Sequence, residues 1–228
     1  MAGTFALVGG GEWNDGCRGF DAALVEAAGA DEVVVLPTAA AFEHADRAGE
    51  RAVVYFESLG VKATVLPVLH RGEAEDAHIA KAVRAARFVY LSDGSPLHLR
   101  SVLKDSVLFE AILGSYHGGG VLAASGAGAT VLCDPMVDPR GGAYTVGLGV
   151  IRNLAVFPYH GTAAGHLRER SIDLLPRAAT LVGIDEQTAL VLGSDGTWTA
   201  RGAGTVTAYG QDSAVAHRDG DVVAGLPA

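Results

Sequence analysis

Short runs of apolar, often β-branched residues alternate along this chain with longer stretches whose apolar positions recur every three or four residues. The short runs are residues 4–8, 32–36, 63–66, 88–91, 121–124, 154–157 and 181–184. They are apolar at odd and even positions alike, as strands covered on both faces are. The longer stretches are 20–28, 45–59, 74–86, 107–116 and 166–175. A spacing such as Val53, Phe56 and Leu59 gives a helix one apolar face. Regular strand–helix alternation requires right-handed crossovers, so the pattern predicts a doubly wound, mainly parallel α/β sheet. After Glu186 the texture changes to short runs at 189–192, 197–200, 205–209, 214–217 and 221–223. Between them stand Ser194-Asp195-Gly196, Gly202-Ala203-Gly204, Gly210-Gln211-Asp212 and Asp219-Gly220. Such clusters are hairpin turns, so this end is expected to form antiparallel edge strands. No repeat or linker interrupts the pattern, which predicts one domain over 1–228.

Composition narrows the partners. Of 228 residues, 49% are hydrophobic and 19% charged, enough for a sizeable core. A net charge of -9 argues against nucleic acid or an anionic membrane as partner, since both are held by an excess of Lys and Arg. Cys17 and Cys133 form neither a disulfide framework nor a zinc pattern, which suits a reducing compartment. Met1-Ala2-Gly3-Thr4 carries no basic stretch of a signal peptide, and no apolar stretch approaches the roughly 20 residues of a membrane span. The expectation is a cytoplasmic protein that binds a small molecule or small peptide, with a homodimer as an open alternative.

In an open parallel sheet, ligands bind beyond the carboxyl ends of the strands. The first such end carries Gly9-Gly10-Gly11-Glu12. Gly9, Gly11 and Asn14 do not complete the Gly-x-Gly-x-x-Gly pattern of a dinucleotide site, so no cofactor is expected. Gly118 to Ala129 runs from glycines through a buried strand into Ser125-Gly126-Ala127-Gly128-Ala129 and a following helix. That is the pattern of a nucleophile elbow, whose tight tip tolerates only small neighbours and aims backbone N–H groups at a developing oxyanion. An ordinary small-residue strand–helix turn would read the same way. His44, His70, His78, His98, His117, His166 and His217 are scattered without ligand spacing, so no metal is expected. His98 lies on the helix after Asp93, and Trp13 and Tyr159 stand close to strand ends. Cys133 reads as a buried, inert thiol.

Taken together, Gly9-Gly10-Gly11-Glu12, Leu91-Ser92-Asp93-Gly94, the elbow, His160 and Gly183-Ile184-Asp185-Glu186-Gln187-Thr188-Ala189-Leu190 resemble the dipeptidase E and cyanophycinase group of serine peptidases. These share the class I glutamine amidotransferase-like sheet. The resemblance implies cleavage of small amides, often beside an aspartyl group, without metal or cofactor. It places the catalytic histidine on His160 and the orienting acid on Glu186, with Asp134 or Asp138 as the dipeptidase E alternative. Gly10, Gly94 and Ala127 fall among the oxyanion or binding positions. The family elbow reads Ser-Ala-Gly-Ala, which sets Gly126 at the nucleophile serine. A Gly-Gly pair of the second oxyanion loop becomes Asp93-Gly94, and a following Asp-Gln pair becomes Ser95-Pro96. Ser125 could replace the nucleophile if the turn shifts by one residue; otherwise it points to the core or caps a helix. A glycine at the tip would relieve backbone strain, so Gly126→Ser is expected to cost about 1 kcal/mol.

Three readings follow. The chain is a hydrolase using Ser125, His160 and Glu186, a binding pseudohydrolase with a degenerate triad, or a non-covalent acid–base enzyme using His160 and Asp93.

Overall fold

The computed structural model describes residues 3–210 and 213–227, so Met1, Ala2 and Ala228 lie outside it, as do Gln211 and Asp212 of one expected turn. The first half alternates β1 (Thr4–Val8), α1 (Arg18–Ala28), β2 (Glu32–Leu36), α2 (Ala45–Ser58), β3 (Lys62–Val65), α3 (Ala77–Ala85) and β4 (Phe88–Leu91). There follow α4 (Pro96–Leu103), α5 (Val107–His117), β5 (Val121–Ser125) and α6 (Ala127–Leu132). Four short strands come next: β6 (Cys133–Asp134), β7 (Met136–Val137), β8 (Tyr144–Thr145) and β9 (Ile151–Arg152). The chain then forms β10 (Leu154–Phe157), α7 (Gly165–Asp173), β11 (Thr180–Ile184) and β12 (Thr188–Leu192). It ends in β13 (Trp198–Gly202), β14 (Val206–Tyr209) and β15 (Ala214–His217).

The main sheet has the order β13-β12-β1-β5-β4-β2-β3. From β1 to β3 its pairs are parallel, while β12 and β13 close the β1 edge antiparallel. Both faces are covered, and the two-residue period of a strand divides its side chains between two cores. Phe5, Leu7, Leu122 and Ala124 face the core that holds Leu99 of α4 and Leu108 of α5. Ala6, Val8 and Ala123 face Phe20 and Leu24 of α1 and Phe56 of α2. Local signals set the helix ends. Asp76 accepts from the N–H groups of His78 (2.7 Å) and Ile79 (3.2 Å), and Ser106 from that of Phe109 (3.0 Å). Ser95 caps α4 with Pro96 in its first turn, and Gly29 ends α1 in the left-handed conformation.

One expectation changes. The runs at 154–157 and 181–184 do not join the main sheet. They pair with each other, in parallel, inside a second sheet of order β15-β14-β11-β10-β6-β9. The reason is spatial: β12 already occupies the free edge of β1 through the register Leu7↔Leu190. The second sheet is also buried on both sides. Val156 and Val182 face the large core, while Ala155, Phe157 and Leu181 pack with Leu167 and Ile172 of α7. The run at 221–223 makes only an isolated bridge, Thr199↔Val222. Among the described residues, no helix is long and apolar enough to cross a membrane.

Candidate active site

The carboxyl ends of β1, β4 and β5 are neighbours in the sheet, so the loops after them converge. Gly126 is the turn between β5 and α6, held by its N–H to the Val8 carbonyl (2.9 Å) and by the Thr130 N–H on its own carbonyl (3.0 Å). Its angles, φ 46° and ψ −103°, lie where residues with a side chain are strained. A side chain at 126 would also collide with the carboxylate of Asp93, which fills that space.

Asp93, just past β4, is the hub. Its Oδ1 accepts two backbone hydrogen bonds, from Ala127 N–H (2.6 Å) and Gly94 N–H (2.7 Å). Its Oδ2 accepts from the Tyr159 hydroxyl. Asp93 N–H in turn donates to Glu12 Oε1 (3.3 Å). Glu12 is buried, and burial first and the Asp93 charge second push its carboxyl up. Gly10 contributes room: its missing side chain leaves the place taken by the Tyr159 ring. Its carbonyl accepts from Gln187 N–H (2.8 Å). Tyr159 itself sits at φ 54°, fixed by its N–H on the Gly9 carbonyl (2.7 Å).

Ser125 is fully buried as the last residue of β5, paired with Val8. Its Oγ donates to Glu12 Oε2 (2.9 Å), so the hydroxyl points behind the elbow and makes no hydrogen bond to His160.

His160 follows β10 and has both ring nitrogens engaged. Nδ1 meets Asp185 Oδ1 at 3.3 Å and Nε2 meets the Tyr209 hydroxyl at 2.6 Å. Burial pushes the imidazole down, and the bond to Asp185 opposes this only in part. Burial pushes Asp185 up, but two hydrogen bonds from Thr205 and the one from His160 outweigh it and hold the carboxyl low. The pair is therefore a carboxylate and a neutral imidazole. Nδ1–H donates to Asp185, and Nε2 accepts from Tyr209.

Where the sequence reading set Glu186 beside His160, the structure brings Asp185, and Glu186 accepts from Thr162 Oγ1 (2.9 Å) near the surface. The His160 ring lies over Gly183, and Asp185, two residues on, falls on the same face. That alternation was the available signal. Asp134 accepts from Gly147 N–H (3.1 Å) and Asp138 pairs with Arg140 (2.6 Å); neither meets His160. His98 is occupied at the carbonyl of Leu69 (2.8 Å), and Trp13 packs on Tyr90 with ring centres 5.4 Å apart. Tyr209 and the Tyr159–Asp93 contact had no spacing signal, because both come from residues distant in sequence.

The arrangement is that of an α/β protein with a strand–helix elbow, a histidine–carboxylate pair and a second loop carrying backbone donors. The sequence profile of peptidase family S51 matches residues 5–198, and the chain belongs to that family. It is 30% identical over 175 residues to a cyanophycinase of Trichormus variabilis, covering 70% of this chain and 57% of the relative. A cyanophycinase of Synechococcus elongatus is 27% identical over 198 residues, with 79% and 59% covered. The chain thus spans less than three fifths of the length of these curated relatives. Among solved structures, a peptidase from an acI-B1 Actinobacterium superposes with a TM-score of 0.89 at 29% identity, covering 98% and 97% of the two chains. A Listeria monocytogenes protein named for peptidase E shares the fold, with a TM-score of 0.66 at 14% identity over 96% and 99%.

Proposed function

We propose that this chain is a non-covalent small-ligand-binding member of its peptidase family, with Gly126 at the nucleophile position and a degenerate triad. The observation that carries the reading is the seat of Asp93. Its carboxylate accepts from Ala127 and Gly94, the two N–H groups that would stabilise an acyl-transfer oxyanion, and fills the space a nucleophile at 126 would need. An acyl-enzyme needs an oxygen or sulfur at the tip within reach of a base. Glycine offers neither, and Ser125 donates to Glu12 instead. A water molecule activated by His160 would forgo the positioning of a tethered nucleophile, an advantage that can reach several kcal/mol. It would also meet an oxyanion site already filled by negative charge, where losing one donor costs about 3 kcal/mol. Turnover of small amides by the covalent route is therefore expected to be negligible.

The hydrolytic alternative keeps one supporting observation, the neutral His160 on Asp185, which is the charge state of a general base. Its Nε2 is engaged by Tyr209, which weighs against it. Both cysteines are buried, and burial pushes their thiols up, Cys17 to about 12, as suits inert structural cysteines.

The test is a fluorophosphonate serine probe followed by intact mass. Unlabelled protein that still shifts its melting temperature with small ligands is the expected result. Stoichiometric labelling at Ser125 would overturn the reading.

A further inference from the structure

Beside the elbow lies a cleft of about 190 Å³ between α6, the β7–β8 hairpin, β10 and α7. Its walls are mostly apolar, with Val137, Pro139, Phe157 and Leu167 among them, and the polar side chains that line it are Asp93, Thr130, Asp138 and Tyr159. A carboxylate offers about four lone-pair positions. On Asp93, two on Oδ1 are filled by Ala127 and Gly94, and one on Oδ2 by Tyr159. One position on Oδ2 is left. All three donors are neutral, and among the described residues no lysine, arginine or histidine nitrogen stands within 4.0 Å of Asp93. The other acid of the cleft, Asp138, already has Arg140. A mostly apolar cleft lined by a carboxylate without a counter-charge favours a cation with an N–H donor, because such charge-assisted bonds are about twice as strong as neutral ones.

Resting on the ligand-binding reading above, we infer that the cleft takes a small primary ammonium with an aryl or short alkyl body, its nitrogen on Asp93 Oδ2. Size agrees with this class. A cavity of about 150 Å³ holds benzene, so this one has room for a ring and an aminomethyl group.

The probes are benzylammonium, benzyl alcohol and benzoate, three near-isosteres of different charge, titrated by calorimetry at pH 7 into wild type and Asp93→Asn. Benzylammonium should bind at least tenfold more tightly than benzyl alcohol, and benzoate should not bind. Asp93→Asn should abolish the preference while still accepting from Ala127 and Gly94 through its amide oxygen. Equal binding of benzylammonium and the alcohol, or stronger binding of benzoate, overturns the inference from wild type alone, even if the variant fails to fold. Serine labelling would count against the broader reading, whereas lost ammonium preference in unlabelled protein counts only against this one.

Discussion

A serine introduced at position 126 will lower the melting temperature of this protein by about 10 °C, and Asp93→Gly in the same molecule will recover much of that loss. Two costs act in the single variant. A residue with a side chain at φ 46°, ψ −103° carries strain of about 1–3 kcal/mol. The serine side chain must also expel the Asp93 carboxylate from Ala127 and Gly94, and hydrogen bonds to a charged group contribute about 1.5–3 kcal/mol each. The new hydroxyl recovers part of this, which leaves roughly 3–5 kcal/mol. Each kcal/mol shifts a chain of this length by about 2–4 °C. The cost is well above the value of about 1 kcal/mol expected from strain alone, because the sequence gives no sign that residues 33 positions apart share one volume. A double-mutant cycle by thermal melts should return a favourable coupling of about 2 kcal/mol or more. Additive effects would mean that the carboxylate moves aside freely. The double variant also places a hydroxyl beside two freed N–H groups. Since Nε2 of His160 is still bound by Tyr209, hydrolysis of aspartyl dipeptides or activated esters should rise further on adding Tyr209→Phe.

Stability should fall as the pH rises from about 5 to 8.5, and Asp21→Asn should reduce that slope. Asp21 is fully buried and accepts from the Tyr55 hydroxyl (2.9 Å), while its Oδ1 has no partner among the described residues. Burial, with a smaller contribution from Glu12, pushes its carboxyl up to about 8 against the opposing Tyr55 bond. An unfolded aspartate titrates near 3.9. Between those values the folded chain holds a proton that the unfolded chain releases. The contribution is fully present below about pH 4 and is lost as the pH rises through about 8. Glu12, also pushed up, adds a slope of the same sign. His160, pushed down, acts oppositely, losing stability as the pH falls below its unfolded value near 6.5. Urea unfolding at pH 5.5 and 8.5 should show wild type losing a few kcal/mol more than Asp21→Asn over that interval. Parallel losses in the two proteins would show that Asp21 ionises normally in the folded state.

Much of the main sheet was legible in the sequence, because strands buried on both faces are written as continuous apolar runs. The runs 4–8, 32–36 and 88–91 carry their strand limits on their face. The same property misdirected the reading of β10 and β11. They too are covered twice, by the large core and by α7, and nothing local says which sheet such a strand joins. The position of the candidate site was legible where it depends on loops after strands: Asp93, Gly126 and His160 all stand at strand ends. It was not legible where it depends on partners from distant elements. Tyr209 reaches His160 across 49 positions and Tyr159 reaches Asp93 across 66, and no spacing rule links either pair. Asp185 was within reach of a parity argument from Gly183, but the resemblance drew attention to its neighbour.

The overlap between Asp93 and a side chain at 126 has a meaning for history as well as for chemistry. Serine at 126 and the Asp93 carboxylate in its present seat exclude each other, so one of them must move when both are present. The route that adds serine at 126 while Asp93 remains must move that carboxylate off Ala127 and Gly94. Glycine at both positions avoids that cost and leaves the N–H groups of residues 94 and 127 without their Asp93 acceptor. The less costly order of the two changes therefore runs through a protein with neither nucleophile nor plug. Once Asp93 is in place the crossing is hard to reverse, since any return must begin by giving up the hydrogen bonds that hold the elbow together.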